Sequence, residues 1–214
     1  MKSVLMIGAG QFGIHIAKRM AKLRCEIMAI DNDEGRINAI LPLVTNAQIG
    51  NSTSEEFMRS LGIPDYDVCI VTISDNFQNS LETTALLKEL GAKKVISRAQ
   101  NDVQEKFLLR NGADETVYPE KQTAIRLAIK EASDDILDVF HVAHDLNIYE
   151  VRVPKTWNGK TIAGLDIRKK HNLNIIAVRT PQQLMVPMPD MVLQTGDTVL
   201  IIGNTKDVQK YFDY

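Results

Sequence analysis

Residues 4–13 read Val4-Leu5-Met6-Ile7-Gly8-Ala9-Gly10-Gln11-Phe12-Gly13, an apolar run halted by glycine and followed by two more glycines. A short continuous apolar run that stops at glycine is the pattern of a fully buried strand. From Phe12 to Leu23 the period changes: Phe12, Ile16, Met20 and Leu23 recur at helical spacing, with Ile14 and Ala17 beside them. A G-x-G-x-x-G run therefore stands between a strand and a helix. In that setting Gly8 permits a tight turn, Gly10 lets the backbone approach a phosphate, and Gly13 lets the helix pack close to the strand. The helix N-terminus adds free N–H donors and positive potential. Glu26 to Ile30 is a second buried strand, ending in Asp31-Asn32-Asp33. At its carboxyl end the Asp31 carboxylate can accept hydrogen bonds from both hydroxyls of a ribose, and it would repel a 2′-phosphate. Strand, glycines and acid together predict an adenine-nucleotide site that disfavours NADP.

The rhythm continues outward from this stretch. Asp33 to Leu41 suits a helix closed by Pro42, Thr45 to Ile49 a strand, and Gly50-Asn51-Ser52-Thr53 a loop before a helix through Leu61. Val68 to Ile73 is the strongest strand. A helix (Asn79 to Leu90), a strand (Lys94 to Arg98), a helix (Val103 to Asn111) and a short strand (Glu115 to Tyr118) follow. Such alternation predicts a Rossmann-type, doubly wound parallel sheet over residues 1–121, an α/β domain. Gln122 to Phe140 reads as a linking helix, with Ile125, Ala128, Ile129, Ala132, Ile136 and Phe140 on or near one face. That stripe would pack on another subunit or on its own domain. Residues 141–214 read as a second, smaller α+β domain. Its strands are Ile148 to Val153, Ile175 to Val178 and Thr198 to Ile202, with a helix from Ile162 to His171 and a closing one from Val208 to Phe212.

Composition narrows the function classes. The 214 residues are 44% hydrophobic and 24% charged, with a net charge of -2, which predicts a globular chain and argues against nucleic acid as a partner. Cys25 and Cys69 are the only cysteines and lie far apart, which argues against a disulfide framework or a Cys-rich zinc site and fits a reducing compartment. No stretch approaches the ~20 apolar residues of a membrane span, and the N-terminus lacks a signal-peptide pattern. A cytoplasmic location is expected, with any membrane role exercised through a partner. His141 and His144 beside Asp145 read as a solvated helix end, and Arg168-Lys169-Lys170-His171 likewise. No Ser/His/Asp, Cys/His or paired-carboxylate arrangement stands out, so no catalytic residue and no metal site are assigned. One rival reading is an NAD-dependent oxidoreductase, which would need an acid–base group and a substrate pocket in the second domain. A second, a redox-sensing transcriptional regulator of Rossmann type, would need a helix-turn-helix for which there is neither sequence space nor basic charge.

Several further segments carry a family likeness. They are Ala29-Ile30-Asp31, Ile49-Gly50-Asn51-Ser52-Thr53 leading to Leu61-Gly62-Ile63, and Leu86-Leu87-Lys88-Glu89-Leu90-Gly91. Arg98-Ala99-Gln100-Asn101 and Gly112-Ala113-Asp114 leading to Pro119-Glu120-Lys121 continue it, as do Gly159-Lys160-Thr161-Ile162, Leu165-Asp166-Ile167-Arg168 and Gly196-Asp197-Thr198-Val199-Leu200. With Gly8–Gly13, they make the whole chain resemble the cytosolic regulatory subunit of bacterial Trk/Ktr potassium-uptake systems. These subunits are built from the two subdomains named for regulating potassium conductance.

The resemblance implies a non-catalytic subunit that binds ADP, ATP or NAD(H) as a regulatory ligand. It also implies dimers assembled into an octameric ring beneath a membrane-embedded potassium-translocating partner. The implied nucleotide-binding residues are Gly8, Gly10, Gln11, Phe12, Gly13, Asp31, Asn32, Asn51, Ser52, Thr53, Ile73, Ser74, Asn76 and Arg98. Asn51, Ser52 and Thr53 match the segment beside the adenine, and Arg98 falls where a cation neutralises phosphate. Glu120 matches a glutamate that helps hold a divalent or sodium ion near the terminal phosphate in some members. Ile162, Arg168, Asn174, Ile175 and Pro189 match a second-domain site for cyclic di-AMP or another small effector. The chain departs from some relatives at Gln11, where they carry an arginine able to reach a γ-phosphate. Glutamine brings hydrogen bonds but no charge, which weakens the case for ATP over ADP or NAD.

Overall fold

A strand with apolar residues on both faces has no side to offer water, so the sequence buries it between two helical layers. In the computed structural model, which describes residues 1–212, the chain divides into two units, Met1–Glu120 and Lys121–Tyr214. In the first, β1 (Ser3–Ile7), β2 (Glu26–Asp31), β3 (Asn46–Ile49), β4 (Val68–Val71), β5 (Val95–Arg98) and β6 (Glu115–Val117) form a parallel sheet ordered β3-β2-β1-β4-β5-β6. The helices between them are α1 (Gln11–Lys22), α2 (Glu34–Ile40), α3 (Glu55–Ser60), α4 (Phe77–Glu89) and α5 (Asp102–Arg110). The period of two in β1 sorts its side chains: Val4 and Met6 join one core with Ala17, Ile40 and Ile70, while Leu5 and Ile7 join the other with Met58, Val71 and Leu87. Strand order reverses between β1 and β4, where the chain returns from the β3 edge to pair Ile7 with Val71. In open sheets of this kind, ligands bind outside the carboxyl ends of the strands at that reversal.

Cys69 and Asp114 are among the ionisable groups of the first unit that respond to their surroundings. Burial in the core pushes the Cys69 thiol up to about 12, so it stays protonated and inert. Asp114 is held below the usual carboxylate range, chiefly by Lys88, whose Nζ lies 2.7 and 2.8 Å from its two oxygens. A depressed folded value means that the stabilisation is present above the unfolded pKa of about 3.9 and is lost as pH falls through the folded one. The fall in melting temperature between about pH 5 and pH 3 should therefore be shallower in Asp114→Asn. An identical acid slope in the variant would show that the pair carries no linkage.

The helix α6 (Pro119–Ala132) opens at the end of the first unit. The second unit then holds an antiparallel sheet ordered β10-β9-β11-β8-β7: β7 (Ile136–Ala143), β8 (Leu146–Arg152), β9 (Asn174–Arg179), β10 (Leu184–Met185) and β11 (Thr198–Asn204). Short helices α7 (Ile162–Leu165) and α8 (Ile167–His171) and the closing α9 (Thr205–Phe212) complete it. Trp157, Tyr149, Leu173, Val199, Ile201 and Val208 form its core.

The expected helix over 122–140 is corrected here. It stops at Ala132, and Ile136–Ala143 is a strand paired with β8, so this sheet begins before residue 141. Ser133-Asp134-Asp135 is a poor helical segment; the Ser133 hydroxyl accepts the Asp135 N–H in a local turn. Beyond it Ile136 and Val139 are buried in the core of the second unit. His141 accordingly lies on a strand, with Nδ1 3.0 Å from Asn147 Oδ1, and His144 sits in the hairpin turn at φ +50°, neither at a helix end. The helix expected from Ile162 to His171 is broken at Asp166, whose φ of +49° interrupts the ladder.

Candidate functional site

The glycine loop is fastened on both sides. Gly8, at φ +102°, donates its N–H to the Ile30 carbonyl at 2.8 Å. From the β4 side, the Thr72 N–H donates to the Ile7 carbonyl at 2.7 Å, and its hydroxyl to the Gly8 carbonyl at 2.6 Å. Gly13 lets α1 close on that loop, since a Cβ there would lie 2.4 Å from the Gly8 oxygen. A Cβ on Gly10 would meet nothing within 4 Å, so the backbone there borders open space. Side chains of Asp33, Ser54, Asn76 and Asn101 cap α2, α3, α4 and α5, but α1 has neither a side-chain cap nor an acid in its first turn. Its leading N–H groups therefore have no side-chain cap.

Beside this loop lies a cleft of about 250 Å³. Asp31 forms one wall, only 6% exposed; its Oδ2 accepts the Ala9 N–H at 2.7 Å and its Oδ1 the Asp33 N–H at 3.0 Å. Each oxygen keeps one lone pair, enough for one hydroxyl donor apiece. Of the residues expected from the sequence, Gly8, Gly10, Asp31, Asn32, Asn51, Ser52, Ile73, Ser74 and Asn76 border this cleft. Asn51 accepts the Thr53 N–H and hydroxyl through Oδ1, which leaves its amide donors available. The Ser52 hydroxyl is instead paired with Thr83 at 2.8 Å. Thr53 and Gly13 do not border this cleft.

A second hollow of about 530 Å³ is bordered by Gln11, Phe12 and Arg98, and shares Gly10, Arg36, Ser74 and Asp75 with the first. Arg98, at the end of β5, places its guanidinium 5.1 Å from the centroid of the Phe12 ring and pairs with Glu120. Its Nε is buried and has no hydrogen-bond partner. Sequence reasoning missed Arg36 and Asp75. Arg36 donates to Asp75 Oδ2 at 3.1 Å and lies 3.8 Å from Asp31, and the Asp75 hydrogen bond is the first cause holding its guanidinium above the ordinary arginine pKa. The available signal was a cation within two turns of the acid on the following helix. In the second unit, Ile162, Arg168, Asn174, Ile175 and Pro189 border one open cleft of about 440 Å³.

Among the described residues no helix is long and apolar enough to cross a membrane, and no group of three or more His, Cys, Asp or Glu side chains gathers to hold a metal.

A doubly wound parallel sheet with a glycine loop and a buried acid at its switch point defines a Rossmann-type protein, here joined to a small antiparallel α+β unit. The model of the TrkA-N domain matches residues 4–119, and that of the TrkA-C domain matches residues 148–214. The chain belongs to this TrkA-N/TrkA-C family, the regulatory proteins of Trk and Ktr potassium-uptake systems. It is 35% identical over 211 residues to the Ktr system potassium uptake protein C of Bacillus subtilis (strain 168), an alignment covering 98% of this chain and 96% of that one. Among solved structures it resembles the GsuK RCK domain, with a TM-score of 0.70 and 16% identity over 99% of this chain and 47% of that one. The GsuK channel bound to NAD matches with a TM-score of 0.50 and 21% identity, over 100% of this chain and 38% of that one.

Proposed function

We propose that this chain is a non-catalytic, cytoplasmic regulatory subunit that binds an adenine nucleotide (ADP, ATP or NAD(H)) and thereby controls a membrane-embedded potassium-translocating partner. One observation carries the reading: the buried Asp31 carboxylate keeps a lone pair on each oxygen, beside the uncapped N-terminus of α1. Those two features suit the two ends of one ligand, a ribose diol and a phosphate. The Asn51 amide suits a base edge, and Arg98 suits the phosphates. The NAD of the GsuK channel, a relative in fold, supports the same assignment. Glu120 would supply a carboxylate to a divalent or sodium ion near the terminal phosphate. In the second unit, Arg168 and Asn174 among Ile162, Ile175 and Pro189 suit the phosphate and base of cyclic di-AMP.

Regulation requires that the nucleotide bind two conformations with different affinity, since equal affinity shifts nothing. We place that difference in an octameric ring of dimers. Titration calorimetry of the purified chain with adenosine, ADP, ATP, NAD and NADH tests the first unit, and cyclic di-AMP tests the second. Dissociation constants below about 1 mM are expected for at least one first-unit ligand. No heat from any of them at millimolar concentration would overturn the nucleotide reading. Light scattering that found only monomer would overturn the ring.

A further inference from the structure

We propose that Glu120 is a built-in competitor of the nucleotide phosphate for Arg98, and so determines how strongly the site favours ligands that carry a second phosphate. The proposal rests on the nucleotide reading above and adds its regulation.

Three observations meet at one side chain. The Arg98 guanidinium lies against the Phe12 ring in the first turn of α1, its Nη2 pairs with Glu120, and its Nε is buried without an acceptor. A guanidinium offers five N–H donors in a planar fork suited to two anionic oxygens at once. With Nη2 on Glu120 and Nε enclosed without an acceptor, the hydrogen-bonding capacity of the fork is only partly used. Arg98 also borders the hollow that shares Gly10, Arg36, Ser74 and Asp75 with the Asp31 cleft, so an anion extending past Gly10 enters its reach.

The two partners differ in what holds them. The Arg98 side chain is 15% exposed and fixed by the aromatic ring, whereas that of Glu120 is 55% exposed. A phosphate that engages the fork brings negative charge against the Glu120 carboxylate, and the repulsion between the two anions weakens whichever is held less firmly. Glu120 is the one that water can resolvate at little cost, so it is the group released. Its carboxylate then becomes free to meet a cation. Adenosine, which reaches only the Asp31 cleft, would not disturb the pair; ADP would weaken it.

Calorimetry in the presence of a chelator, with adenosine, ADP and inorganic pyrophosphate as probes, decides the matter. Glu120→Gln keeps the shape and removes the competing charge. It should tighten ADP and pyrophosphate by about tenfold and leave adenosine unchanged. Arg98→Gln should weaken ADP and pyrophosphate while sparing adenosine. If Glu120→Gln binds both phosphate probes no more tightly than the parent chain, the competition is overturned. Failure of adenosine and ADP to bind the parent would count against the nucleotide reading alone, because the pyrophosphate arm still tests the pair. Melting curves of the ligand-free variants check that both fold.

Discussion

Asp31→Ala should weaken ADP binding by about 10- to 100-fold, a larger loss than any other single side chain of the cleft would cause. The carboxylate has two duties. Toward the protein, Oδ2 and Oδ1 hold the N–H groups of Ala9 and Asp33, which fixes the glycine loop against the start of α2. Toward a ligand, the remaining lone pairs would accept the ribose hydroxyls, and hydrogen bonds to a charged group are worth about 1.5–3 kcal/mol each. Alanine removes both sets and leaves the buried Ala9 N–H without an acceptor, at about 1–3 kcal/mol of stability. Asp31→Asn separates the duties in part: one oxygen remains an acceptor, but the amide points N–H toward N–H at the other. Adenosine should lose as much affinity as ADP in both variants, because the contact is to ribose. Parental affinity for adenosine in Asp31→Ala, measured well below its melting temperature, would remove Asp31 from the site.

The glycine loop yields the second large effect, through a contrast between neighbours. Gly13→Ala should destabilise the first unit by about 2–3 kcal/mol. Its Cβ would stand 2.4 Å from the Gly8 carbonyl oxygen and 3.1 Å from the Thr72 hydroxyl, and neither can yield freely. The carbonyl is backbone, and the hydroxyl is committed to that same oxygen at 2.6 Å. The helix must therefore back away from the strand. For a chain of this size the first unit's melting temperature should drop by about 5–10 °C. Gly10→Ala should leave that temperature within about 1 °C of the parent, because its φ of -70° suits alanine and the new methyl meets nothing. The methyl would stand in the space offered to phosphate, so ADP affinity should fall by about tenfold while adenosine binding persists. Equal melting temperatures for the two variants would show that the close contact at Gly13 is not what sets the loop.

Much of this architecture was legible in the residues. Val4 to Ile7 read as a buried strand, and the glycines after it as a turn and a close helix. Alternating periods then fixed the parallel sheet through Glu115. Legibility failed where a local pattern served two structures. Ile136 and Phe140 keep helical spacing, yet they pair with β8 as a strand that buries Ile136 and Val139 while Phe140 stays exposed. The break at Asp166 was hidden for a similar reason, since one left-handed residue leaves no mark on hydrophobic spacing. Ser52 fell in the expected place, but its hydroxyl turned toward Thr83 on α4, a partner no local pattern could name.

By itself the sequence determined the glycine loop, the acid at the end of the second strand and the family likeness along the chain. All three depend on backbone conformation and spacing over a few residues, which the side chains encode directly. Tertiary structure alone decided that Asp75 meets Arg36 beside Asp31, and that Arg98 lies between Phe12 and Glu120. These groups come from different strands and helices, and only the order of strands in the sheet brings their ends together. That order is set by the burial of the whole core, so Arg36 and Asp75, and the pairing of Arg98 with Glu120, became readable only once the sheet was formed.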